Sequence, residues 1–162
     1  AAVATLVTPN LIEAAALLGS PVSEQEAPDA AVALDYAIEL AAAVGAKVHL
    51  AHFYSFPLSP FGAPLGFASV DLAQGIEAET QKALENTVKK HQRPGVEITS
   101  SARLGDARSG IQELALEVGA DLVCMGTHGR RGLDHILLGS IAEYTVRVSK
   151  IPTVTVRAKL PS

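Results

Sequence analysis

The sequence predicts a single α/β domain built on a doubly wound, mostly parallel sheet with helices on both faces. Two observations carry this expectation: apolar stretches with helical spacing alternate with short strand-like runs, and the turns between them are mostly brief and marked by glycine. Helices alternating with strands imply right-handed β-α-β crossovers, which require parallel strands and lay helices on both sides of them. A chain of 162 residues suits one such domain, since at this size roughly two-thirds of the unfolded surface is buried on folding.

Two apolar runs compete for the first strand, Val3 to Thr8 and Ala14 to Ser20. From Asp29 the pattern is helical, with Ala30, Leu34, Ala37, Ile38, Ala41 and Val44 at three- and four-residue steps and Gly45 where a C-terminal cap belongs. Lys47 to Phe53 alternates as a strand does. Tyr54 to Gly75, with Pro57, Pro60, Pro64 and several glycines, is expected to form a long mobile loop. It runs into a second helix from about Asp71 to His91, stopped by Arg93-Pro94-Gly95.

Val96 to Ala102 reads as the next strand. Ser109 and Gln112 have capping-box spacing at the head of a helix that Gly119 ends, and Asp121 to Met125 follows as a strand. Ser140 and Glu143 repeat that spacing before a helix reaching about Ser149, and Pro152 to Arg157 closes the chain as an alternating strand. The sequence has no internal repeat.

Composition narrows the function. With 48% hydrophobic and 19% charged residues the chain is an ordinary globular one, and a formal charge of -4 argues against nucleic acid as a partner. The single cysteine, Cys124, lies in the apolar run Leu122 to Met125, so a buried thiol in a reducing cytoplasm is expected. The apolar N-terminal stretch lacks a basic segment and is interrupted by Pro9, Asn10 and Glu13, which suits neither a signal peptide nor a membrane span. His49 and His52 lie three apart on one strand and so face opposite sides, and the five histidines show no zinc spacing. No protein-built metal site is expected.

The segment Gly126-Thr127-His128-Gly129-Arg130, running on to Gly139-Ser140, joins a strand end to a helix start, where an open α/β sheet binds ligands. Without a Cβ, Gly126 and Gly129 can take positive φ and let a triphosphate approach main-chain N–H donors, with Gly139 acting likewise at a second pass. Ser140, at the expected N-cap, adds a hydroxyl and the positive end of a helix dipole. Singly, the glycines also read as a tight turn and the serine as a cap for its own helix. His128 and Arg130 would neutralise phosphate charge, whereas Arg131 and His135 read as solvated loop cations.

Together these residues form the spacing G-2x-G-9x-G-S, and with it the chain resembles the universal stress protein family. Ala33 to Ala41, Leu104-Gly105-Asp106, Gly119 to Arg130 and Pro152 to Val156 also look like segments of that family, so the likeness runs from about Ala30 to Arg157. The resemblance implies a five-stranded parallel sheet, ATP held between the first and fourth strands, and a homodimer formed partly by pairing the last strands, Pro152 to Arg157. ATP would bring magnesium with its phosphates, not through a carboxylate cage.

The resemblance favours Ala14 to Ser20 as first strand, because Ser23 then occupies the family's serine position and residues 1–13 become an N-terminal extension. In neither register does an Asp follow the strand, although ATP-binding members place one there. Base contacts would then fall to the main chain near Pro21 and Phe53 and to Met125, with Thr127 and Ile141 completing the site. The expected function is an ATP-binding stress-response regulator. The alternative is a stress-associated dimeric interaction module whose nucleotide site has decayed. With no Walker lysine, no G-x-S-x-G elbow and no exposed cysteine nucleophile, an enzyme is not expected, and ATP hydrolysis would be slow at most.

Overall fold

A computed structural model describes residues 3–7, 28–54, 69–127 and 138–157. In chain order these form β1 (Val3–Val7), α1 (Pro28–Val44), β2 (Lys47–Tyr54), α2 (Ser69–Lys90), β3 (Ile98–Leu104), α3 (Ala107–Glu117), β4 (Leu122–Gly126), α4 (Ser140–Val148) and β5 (Thr153–Val156). The strands hydrogen-bond in the order β3-β2-β1-β4-β5, with every neighbouring pair parallel. The chain therefore winds outward from β1 through β2 to β3, then returns to the other side of β1 for β4 and β5. The reversal falls between β1 and β4.

Strand alternation divides the core in two. Val48 and Leu50 of β2 and Cys124 of β4 pack with Ala33, Leu34, Ala37, Ile38 and Ala41 of α1 and Leu84 of α2. The intervening residues, Ala51 and Phe53 of β2 and Val123 and Met125 of β4, face the opposite side and pack with Ile111, Leu114 and Ala115 of α3 and Ala142 of α4. Each large side chain fully removed from water contributes about 1.5–3 kcal/mol. Ala33, Ala37 and Ala41 are wholly buried at successive four-residue steps, so α1 presents methyl groups alone along that line and sits close against the sheet. Helices thus cover both faces, as the alternation of elements predicts.

The strongest departure from expectation is β1. It is Val3–Val7, the register not preferred, and it occupies the centre of the sheet, paired with both β2 and β4. Val3, Thr5 and Val7 are β-branched, whereas Ala14 to Leu18 consists of alanine and leucine, the strongest helix formers. Residues 3–7 are thus the middle of the sheet instead of an extension. Other differences concern boundaries. The second helix begins at Ser69 and takes in Gly75, so the tail of the expected loop is helical, while residues 55–68 lie outside the described residues. The third strand is displaced to Ile98–Leu104. α3 is capped from Asp106, not Ser109, and the Ser109 hydroxyl donates to Asp106 O at 3.3 Å.

The expected stop signals act by identifiable geometry. Gly45 and Gly119 take φ of 69° and 64°, and the N–H one residue beyond each reaches back into the helix, Ala46 to Ala41 O at 2.9 Å and Ala120 to Ala115 O at 2.8 Å. After α2, Pro94 and Gly95 (φ 84°) form the centre of a turn closed by Val96 N–H to Arg93 O at 3.1 Å.

Gly110 is a glycine inside a helix, where alanine is intrinsically better by about 1 kcal/mol. Its reason is steric: a Cβ there would lie 2.2 Å from Cε1 of the buried Phe53 ring. Gly110→Ala is therefore expected to destabilise the fold by about 1–3 kcal/mol despite better helix propensity, read as a lower midpoint in urea, and Gly110→Ala with Phe53→Leu should recover much of the loss. Cys124 is fully buried, its thiol lies 3.5 Å from Ala33 O, and burial pushes its pKa up to about 12. An aromatic disulfide reagent should find no reactive thiol in the native protein and one per chain in denaturant.

Candidate nucleotide site

The site is organised by main-chain hydrogen bonds at the carboxyl end of β4. Beyond Gly126, Thr127 remains tied to the sheet through its N–H to Val156 O at 3.0 Å, and its own carbonyl accepts the Gly139 N–H at 2.6 Å. That second bond brings the two ends of the glycine segment together, although the chain between them spans residues 128–138. Glu143 N–H then donates to Gly139 O at 2.8 Å and opens α4. Strand end and helix start are thereby fixed side by side, next to the reversal point between β1 and β4.

Gly139, not Ser140, is the N-cap of α4; its φ is -66° and no side chain caps the helix. Ser140 is the first helical residue, exposed to solvent, while Ile141 is half-buried against the α3 side of the core. Helix geometry leaves the N–H groups of Ser140, Ile141 and Ala142 without an intrahelical partner. These groups, with the positive end of the helix dipole and the Ser140 hydroxyl, form an array of donors suited to an anion.

Two conformational expectations are corrected. The described glycines with positive φ are Gly45, Gly95, Gly105 and Gly119, so neither Gly126 nor Gly139 adopts that region. Gly126 is an extended strand residue in register with Val156. The Gly139 N–H is also committed to Thr127, which moves the donor role to the residues after it. What glycine supplies at these two positions is the missing Cβ.

The remaining expected residues separate into two groups. His128, Gly129, Arg130 and Pro21 lie outside the described residues, as do Arg131 and His135. Pro21 also loses its premise, because the first strand ends at Val7. Phe53 and Met125 are brought into one cluster, but as core: Met125 is fully buried, and the Phe53 ring lies against Gly110. Thr127 is buried beneath the strand end. At the end of β2 the Tyr54 phenol has a raised pKa, first through burial and then through the negative charge of Glu77. Among the described residues no group of His, Cys, Asp and Glu side chains is placed to hold a metal ion, and no helix is long and apolar enough to cross a membrane.

One feature near the site had no sequence signal. Arg108, in the first turn of α3, and Arg147 of α4 place their guanidinium carbons 5.9 and 5.8 Å from the Tyr144 ring centre. Contact between α3 and α4, which are far apart in sequence, creates this pairing of cations with an aromatic face.

Comparison with known proteins agrees with this architecture. A family model described as the universal stress protein family matches residues 21–157. The universal stress protein MJ0531 of Methanocaldococcus jannaschii is 33% identical over 126 residues, covering 77% of this chain and 73% of that protein. The solved structure of MJ0577 from the same organism superposes with a TM-score of 0.73 at 22% identity, over 98% of this chain and 97% of the other. An Arabidopsis thaliana protein of the universal stress protein family, solved with AMP bound, gives 0.59 at 18% identity, over 99% and 96%. The two structures share the fold; the family model and MJ0531 carry the assignment, and the chain belongs to the universal stress protein family.

Proposed function

We propose that this protein is a nucleotide-binding stress-response regulator that holds ATP phosphates on the segment from Gly126 to Ser140. The observation that carries this reading is the 2.6 Å bond from Gly139 N–H to Thr127 O, which sets a side-chain-free strand end against the uncapped start of α4. The donors there fit phosphate oxygens: the main-chain N–H groups of Ser140 and Ile141 and the Ser140 hydroxyl, with His128, Gly129 and Arg130 belonging to the same segment by sequence. A relative solved with AMP supports a nucleotide as the ligand class. Magnesium would accompany the phosphates, because the described residues build no cage for it.

Occupancy of this loop acts as a signal, with hydrolysis slow at most, in a cytoplasmic homodimer. The dimer uses Pro152 to Arg157: among the described residues β5 pairs with β4 on one side only, its residues are all half-exposed, and alternating Val and Thr suit pairing with a second copy. A second reading, a dimeric interaction module with a decayed nucleotide site, is favoured by the sequence Thr8-Pro9-Asn10 after β1, which offers no Asp, and by the burial of the Met125 side chain in the core.

Calorimetry with magnesium-ATP separates the two readings. Binding is expected, weakened about tenfold or more by Ser140→Ala, which removes a hydrogen bond to a charged group worth about 1.5–3 kcal/mol. Gly126→Val should weaken it further by placing a side chain at the strand end. No heat at millimolar ATP, with dimerisation retained and no nucleotide in acid extracts of the purified protein, would establish the second reading.

A further inference from the structure

The α3-side face of the sheet is not covered uniformly. α3 packs on Ala51 and Phe53 of β2, and β3 lies beyond it as the edge strand. β3 is accordingly two-faced: Ile98 and Ala102 pack toward the core beneath α2, while Thr99, Ser101 and Arg103 alternate with them and face the other way. Register sets His49 of β2 opposite Thr99, with Ser101 one pleat further along.

Here three side chains join. His49 Nδ1 lies 2.8 Å from Thr99 Oγ1, and His49 Nε2 lies 2.9 Å from Ser101 Oγ. With the imidazole proton on Nδ1, the ring donates to Thr99 and accepts the Ser101 hydroxyl. A hydroxyl within hydrogen-bond reach of an imidazole, whose other nitrogen is oriented by a third group, is the arrangement that activates a serine. We propose that Ser101 is a nucleophile activated by His49, with Thr99 positioning the ring, and that it takes acyl groups from small activated carboxylic esters at a surface separate from the nucleotide segment.

The surroundings suit this chemistry. The same face carries the Lys47–Glu97 pair at 2.6 Å and the Arg103–Glu117 pair at 2.5 Å. Burial, and next the positive charge of Arg103, lower the His49 pKa, while Glu117 opposes them more weakly; the ring is therefore neutral, as a base must be, at pH 7. Arg103, two residues from Ser101 on that face, is held by its ion pair with Glu117. Ser101 is half-buried and Thr99 exposed, so a small ester has access from solvent. No carboxylate bonds to Nδ1, so reaction is slower than in a triad that stabilises its imidazolium.

In the reaction Ser101 Oγ attacks the ester carbonyl and its proton passes to His49 Nε2. The acyl–Oγ bond forms, the ester C–O bond breaks, and the leaving group departs as phenolate or takes the proton back from the imidazolium. With the imidazole neutral again, its proton gone to the leaving group or to solvent, His49 takes a proton from water as it attacks the acyl carbonyl; the acyl–Oγ bond breaks, and the proton on His49 passes to Ser101 Oγ as the acid is released.

The test uses the whole chain without nucleotide, with p-nitrophenyl acetate as substrate and a fluorophosphonate as covalent probe. One phosphonyl group should appear on the peptide containing Ser101. Ser101→Ala should abolish both labelling and p-nitrophenolate release above buffer background, and His49→Gln should slow release on the order of 100-fold. Thr99→Val should slow it less, and the rate should rise with pH to a plateau, with its midpoint below the ordinary imidazole pKa of 6.5. Thermal melts confirm that the variants fold; if His49→Gln does not, the probe and Ser101→Ala decide alone. Release that survives Ser101→Ala assigns the chemistry to a histidine and overturns the proposal, as does probe on another residue, no labelling, or a flat pH profile. Loss of ATP binding in the Ser140 variant leaves this prediction untouched.

Discussion

Because β1 hydrogen-bonds to β2 on one side and to β4 on the other, both in parallel, every described connection must cross a face of the sheet before the next strand can begin. From this one constraint follow the double core, the burial of Val48 and Leu50 on one side and Ala51 and Phe53 on the other, and the collection of every strand's carboxyl end at one edge. The chain reverses direction across the sheet only between β1 and β4. The helix that follows β4 therefore starts at the end of the strand that borders this reversal.

The fold was legible where local chemistry decides. Gly45 and Gly119 end helices, and Pro94-Gly95 form the turn after α2, because their backbone geometry does so wherever the chain places them, and the α1 stripe was readable from its spacing except at Val44, which is exposed. The first strand is legible in the β-branching of Val3, Thr5 and Val7, whereas the serine position of the family pattern points instead to Ala14 to Ser20. Cap positions moved by one to three residues because a Ser or Thr followed by Glu or Gln marks a helix start without fixing which backbone carbonyl takes the first bond; at α3 and α4 those carbonyls belong to Asp106 and Gly139.

The candidate site was legible in part for the same reason. A glycine and serine spacing reports that a strand end and a helix start are joined, but not which N–H groups remain available once Thr127 and Gly139 have used theirs. The side chains of Phe53 and Met125 fill the core under α3, which only packing across elements reveals. His49, Thr99 and Ser101 were invisible as a group, because their meeting depends on the register of two strands separated in sequence by an entire helix.

The bond between Gly139 and Thr127 also bears on how such a protein diversifies. It makes Thr127 and Gly139 a pair of anchor points joined through the main chain and not through any side chain. A substitution at either anchor that keeps the backbone geometry therefore keeps the bond. The join between β4 and α4 thus depends on backbone geometry more than on residue identity.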